Sequence, residues 1–141
     1  MIVLDASVAV AWFLPEPHAD FAAGLVGAGI DLTAPDLIVP EVANALVKAF
    51  RRGAISQARV AAAVQQMANG IVQLHASAAM LSDAADLACR FRCSAYDATY
   101  IELARRRAAA IVTDDARLAE VARSVGIRAH RPADGSLPGF A

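Results

Sequence analysis

The strongest constraint on this chain is an alternation. Five short β-prone runs, Ile2–Leu4, Ile30–Ala34, Ile71–Leu74, Ala110–Thr113 and Ile127–His130, are separated by longer segments of helical period. Helices are expected over Val8–Leu14, His18–Val26, Leu37–Arg52, Ser56 through Met67, Ala78–Phe91, Tyr96–Arg107 and Ala116–Val125. Strands joined through helices make an α/β fold with a small, mainly parallel sheet of four or five strands, covered by helices on both faces in three α/β/α layers. Apolar stripes are read at Val39, Val42 or Ala43, Leu46 and Phe50, and at Leu81, Ala84 or Ala85, and Ala88. There is no internal repeat and no low-complexity linker, so residues 1–141 are read as one domain. The tail from Arg131 to Ala141 carries two prolines and two glycines and is expected to be irregular.

Several function classes fall away on composition. The longest apolar run, Val8 to Leu14, is too short to span a bilayer, and the N-terminus has neither a basic region nor a cleavage-type segment. We therefore expect a cytoplasmic, unprocessed protein with no membrane association. Cys89 and Cys93, four apart in a helical pattern, cannot complete a zinc site and are read as small buried thiols. His18, His75 and His130 form no set that would serve a nucleophilic triad. A net charge of −1 does not suit a chain that coats nucleic acid by bulk charge. The arginines are nonetheless clustered at Arg51–Arg52, beside the single lysine Lys48, and at Arg105–Arg107. Both clusters fit helix C-termini and both fit phosphate binding. The apolar fraction, 57%, leaves surface for a partner or a second copy.

Four acids occupy special places. Asp5 follows the first strand, Glu41 lies in the first turn of the helix after the second, Asp97 opens the helix before the fourth strand, and Asp115 follows that strand. Each has a structural role open to it: Asp5 and Asp114 or Asp115 as helix caps, Glu41 against the helix dipole, Asp97 in the capping box that begins at Ser94. Together they say more. Helices of a parallel α/β sheet begin where the strands end, and ligands bind at that rim. Acids gathered there resist joint ionisation unless a cation compensates, and a hard ion that prefers oxygen ligands, Mg²⁺ or Mn²⁺, is the natural one. Such an ion activates water against a phosphodiester without a histidine or a covalent intermediate. Ser7, Asn44 and Thr113 are placed to support the acids. Asp83, Asp86, Glu102 and Glu120 are read as solvated, Asp36 as a turn residue, and Trp12, Phe13 and Tyr96 as core in preference to base-stacking surfaces.

At this point the residues resemble a known family. Ile-Val-Leu-Asp5-Ala-Ser7, Pro40-Glu41-Val-Ala-Asn44, Tyr96-Asp97-Ala-Thr-Tyr100 and Ile-Val-Thr113-Asp114-Asp115 are similar, in order and interval, to the motifs of PIN domains, above all those of VapC-type toxins. The resemblance implies a PIN-like fold and a Mg²⁺-dependent endoribonuclease, with Mn²⁺ able to substitute. It implies that Asp5 and Asp97 are primary metal ligands and that Glu41 and Asp115 help to hold metal and position water. The family spacing selects Asp115 over Asp114. It further implies an RNA substrate, a homodimer and a VapB-like antitoxin, for which the helical pair Leu37–Met67 is the expected contact surface. Two other readings stay open: a catalytically silent PIN-like binding module, and a phosphatase with an aspartyl nucleophile. The second wants another Asp where this chain has Ser7, and Lys48 is its only lysine.

Overall fold

A computed structural model describes residues 1–137. The strands are β1 (Ile2–Leu4), β2 (Leu32–Pro35), β3 (Gln73–His75), β4 (Ala110–Val112) and β5 (Ala129–His130). All neighbouring pairs are parallel, in the order β3-β2-β1-β4-β5. The helices are α1 (Ala6–Ala9), α2 (Ala19–Gly27), α3 (Ile38–Arg51), α4 (Gln57–Ala68), α5 (Leu81–Phe91), α6 (Ala95–Arg107) and α7 (Ala116–Ser124). The α/β expectation is met, with five strands. β1 and β4 start where expected, whereas β2, β3 and β5 start two residues later than their β-prone runs because hydrophobicity begins before pairing does.

β1 is central because Ile2, Val3 and Leu4 are apolar on both faces and each is buried. From β1 the chain winds outward to β2 and β3, then returns to the other side for β4 and β5. Right-handed crossovers put the helices of these two windings on opposite faces, which yields the three layers. The reversal leaves a crevice between the C-terminal ends of β1 and β4, paired through Leu4 and Val112.

Several local expectations need correction. The first helix starts at Ala6 and tightens into a 3-10 turn at Val10–Trp12 before Phe13. On α3 Val42 and Leu46 are buried as expected, but Ile38 and Ala49 complete the buried face in place of Val39, which is half-buried, and Phe50, which is 43% exposed. On α5 Leu81 is 43% exposed and the face turned inward runs through Ala84. Cys89 is exposed and Cys93 half-buried, so neither is the buried thiol expected. Glu102 is not solvated. It is 2% exposed and accepts hydrogen bonds from Arg105 Nε at 2.8 Å, Arg105 Nη2 at 2.7 Å and Arg106 Nε at 2.6 Å. Arg106 also reaches Asp83 across to α5, and Arg107 reaches His75. Each of Arg105, Arg106 and Arg107 thus has a partner within the protein. In the tail, Pro132–Asp134 form a 3-10 turn, and residues 138–141 of the stretch expected to be irregular lie outside the described residues. No helix among the described residues is long and apolar enough to cross a membrane.

Candidate metal-binding acidic site

Asp5 ends β1 at the crevice. Its backbone N–H donates to Val112 O at 3.0 Å, extending the β1–β4 ladder by one residue, and its side chain is 6% exposed. A carboxylate at that depth needs donors. Ser7 Oγ donates to Asp5 Oδ2 at 2.5 Å, and Thr113 Oγ1 donates to the same oxygen at 2.7 Å. Each hydroxyl has one proton, now spent on Asp5, so each must be approached by a donor from elsewhere. Asp114 N–H supplies one to Ser7 Oγ at 2.9 Å, and Asp115 N–H supplies one to Thr113 Oγ1 at 3.0 Å. Two amides of the turn after β4 thus hold two hydroxyls, which hold one carboxylate. Both hydroxyls converge on Oδ2 and neither uses Oδ1. Burial pushes the Asp5 carboxyl above its ordinary range, with the Ser7 and Thr113 hydroxyls opposing.

Glu41, in the first turn of α3, is the second acid. Tyr100 OH donates to its Oε1 at 2.8 Å from α6. Burial, and then the nearby charges of Asp5 and Asp97, push Glu41 up to about 7 despite that hydrogen bond. Asp97 opens α6, where Ser94 Oγ accepts from Asp97 N–H at 3.0 Å as the capping motif predicts. Its carboxyl is raised by burial and by the charges of Asp115 and Asp5. Asp115 is exposed and caps α7, its Oδ1 accepting from Arg117 N–H at 2.7 Å and Leu118 N–H at 3.1 Å.

The charges of Asp5 and Asp97 act on Glu41, and those of Asp115 and Asp5 act on Asp97, which ties the four acids into one electrostatic neighbourhood. Among the described residues no three Asp, Glu, His or Cys side chains stand close enough together to hold a metal ion as they are placed here. The donor set itself fits a hard divalent cation: oxygen ligands only, partly desolvated, and mutually repelling.

The supporting residues divide. Ser7 and Thr113 are in the network. Asn44 is exposed and makes no side-chain hydrogen bond among the described residues. The Asp114 side chain turns to the other flank, with Oδ1 3.7 Å from His18 Nε2 and 3.7 Å from Arg131 Nη2. Asp36 stands in the turn after β2, as expected, and its side chain ties that turn to the segment after β3, accepting from Ser77 N–H at 3.0 Å and from the Ser77 hydroxyl. Tyr96 is 66% exposed beside Asp97, contrary to the core reading, whereas Trp12 and Phe13 pack half-buried against the core. Tyr100 entered the sequence reading only as the last residue of the Tyr96–Tyr100 motif, with no role in the site. Its position three after Asp97, on the same face, was the one signal for its place in the site.

Comparison with known proteins agrees with this fold. A model of the PIN domain family matches residues 2–124. Ribonuclease VapC3 of Pyrobaculum aerophilum is 32% identical over 121 residues, covering 84% of this chain and 92% of that one. The crystal structure of PAE2754 from Pyrobaculum aerophilum superposes with a TM-score of 0.72 at 20% identity, covering 94% of this chain and 91% of the other. That of Mycobacterium tuberculosis VapC20, described as a sarcin-ricin loop cleaving toxin, superposes with a TM-score of 0.70 at 16% identity, over 90% of this chain and 96% of that one.

Proposed function

The chain belongs to the PIN-domain family, and from that premise we propose that it is an endoribonuclease that uses a divalent cation, Mg²⁺ with Mn²⁺ able to substitute, and acts as the toxin of a VapBC-type pair. The observation that carries this reading is the placing of Asp5, Glu41, Asp97 and Asp115 around the rim of the β1/β4 crevice, with the carboxyls of Asp5, Glu41 and Asp97 raised by burial and those of Glu41 and Asp97 raised further by neighbouring acids.

Asp5, Glu41, Asp97 and Asp115 would hold the cation. When bound, it supplies a water nucleophile of lowered pKa and offsets the charge on the phosphodiester. The protein's own part is positional. Ser7 and Thr113 fix Asp5 through Oδ2, and Tyr100 fixes Glu41 through Oε1. Tyr96, exposed in the first turn of α6, offers a face on which an unpaired base of single-stranded RNA can stack. We take residues 1–141 as one PIN domain, since β5 lies beyond the matched stretch yet pairs with β4. The protein would work in the cytoplasm as a homodimer, silenced by a VapB-like antitoxin.

The test is cleavage of total RNA with Mg²⁺ or Mn²⁺, comparing wild type, Asp5→Asn and a chelated sample. Cuts at discrete sites in the wild type alone support the reading and name the substrate. No cleavage, together with no metal-induced thermal shift, leaves the acids as caps and a silent binding module in its place.

A further inference from the structure

Arg131 stands next to the acidic site and is not accounted for by it. The register of β4 and β5 puts Val112 opposite His130, and Thr113 N–H donates to His130 O at 3.1 Å. Arg131, the next residue, therefore flanks Thr113, which holds Asp5. Its backbone is pinned. Arg131 N–H donates to Asp134 Oδ2 at 3.0 Å, Arg123 Nη2 holds Ala129 O at 2.8 Å and Asp134 Oδ2 at 3.2 Å, and Pro132 is buried.

The guanidinium is largely uncommitted. Among the described residues its one side-chain hydrogen bond runs from Nη2 to Asp114 O at 3.1 Å. The Asp114 carboxylate lies 3.7 Å away, outside hydrogen-bond range, and shares that loose contact with His18 Nε2 at 3.7 Å. Arg131 Nε is buried with no partner, which a purely structural arginine would be expected to satisfy. The side chain is 31% exposed. Nε is out of reach of a ligand, so the terminal nitrogens, with Nη2 held by one carbonyl, are the donors that an arginine fixed at its root and only weakly neutralised can offer to a phosphate. A polyanion approaching four carboxylates also needs a cation at the edge of the site to offset the repulsion.

We propose that Arg131, with His18 beside it, binds a backbone phosphate of the RNA next to the scissile one, and that Asp114 occupies this arginine when RNA is absent. The proposal rests on the ribonuclease reading. Asp114 is then a competitor of substrate, outside the metal-holding set. That assignment makes the two residues of one contact respond in opposite directions.

The probe is a fluorescein-labelled, unstructured single-stranded RNA 20-mer, titrated by anisotropy into the Asp97→Asn protein across a salt series. Adding Arg131→Ala should weaken binding about tenfold and flatten the log–log salt slope by about 0.7, one phosphate contact on a single strand. Adding Asp114→Asn should tighten binding, and Arg131→Lys should keep the salt slope while losing part of the affinity. In otherwise wild-type enzyme Arg131→Ala should raise KM and leave kcat nearly unchanged. If Arg131→Ala destabilises the fold in a thermal melt, Arg131→Lys and Asp114→Asn carry the test. Unchanged affinity in Arg131→Ala, or weaker binding in Asp114→Asn, overturns the phosphate assignment while cleavage by wild type still stands. If wild type cleaves no RNA and Asp97→Asn binds none, the ribonuclease reading fails, and this proposal with it.

Discussion

Glu41 carries the physics of the site in one side chain. Burial penalises its charged form, Asp5 and Asp97 penalise it further, and the Tyr100 hydroxyl only partly offsets them, so the carboxyl sits at about 7 against an ordinary 4.5. A carboxyl raised in the folded state favours folding while it can keep its proton. That contribution is present below about pH 4.5 and is lost as pH rises through about 7. Asp5 and Asp97, also raised, act with the same sign. Metal-free protein should therefore lose thermal stability between pH 5 and pH 7.5 (values chosen to bracket the Glu41 transition). Glu41→Gln should flatten that loss, since an amide oxygen can still accept from Tyr100. Saturating Mg²⁺ should lift Tm most at the upper end of the range. Scanning calorimetry across pH with and without Mg²⁺ checks all three, and a metal-free Tm that climbs through this window would contradict the coupled-acid description.

At the scale of elements, what could be read from the chain and what could not have different physical origins. Strand and helix order was legible because it depends on local period: Ile2–Leu4 and Ala110–Val112 are apolar runs too short for anything but buried strands. The four acids were legible because helix starts in a parallel sheet share a rim, so Asp5, Glu41, Asp97 and Asp115 could be grouped before any coordinates. Glu102 was not legible. Its neighbours in sequence suggest a solvated face, but the α5–α6 hairpin buries it and surrounds it with Arg105 and Arg106. Arg131 was hidden for a similar reason: only the β4–β5 register, a long-range property, brings it beside Thr113. The Glu102 arrangement can be tested at its own scale. Arg105 draws its carboxyl below the ordinary range, with Arg106 assisting, so its contribution is present above about pH 4.5 and is lost as pH falls. Glu102→Gln should destabilise the fold by about 1.5–3 kcal/mol, the usual worth of hydrogen bonds to a charged group. In urea melts at pH 7 the midpoint should fall with m unchanged, and the variant should approach wild type as pH drops. RNA cleavage by the folded variant should be close to wild type, because Glu102 serves the hairpin and not the site.

For the whole molecule, the apolar surplus is the feature that calls for a partner. Side chains amount to 57% apolar, and the core takes up only part of them. The α3–α4 pair shows where some of the remainder lies. Val47 and Val64 stay half-buried, Phe50 is largely outside, and a cavity of about 220 Å³ opens among Phe13, Leu46, Ile55, Ala62 and Ala63 with Arg59 at its edge. If the homodimer uses this face, a single charge there must be desolvated on association without a counter-ion, which is costly. Val64→Asp should then raise the dimer dissociation constant about tenfold or more, about 1.4 kcal/mol or above. A surface lysine exchange on the opposite side cannot serve as control, because the chain has only Lys48, on α3 itself. Arg90→Ala on α5, an exposed residue paired with Asp86, is the better control and should leave association unchanged. Sedimentation velocity over a concentration series separates the outcomes. A Val64→Asp protein that melts like wild type but sediments as a monomer places the dimer on the α3–α4 face. A fully dimeric variant moves the interface elsewhere and leaves this face for the antitoxin, which a pull-down with its partner would then show lost in Val64→Asp and kept in Arg90→Ala.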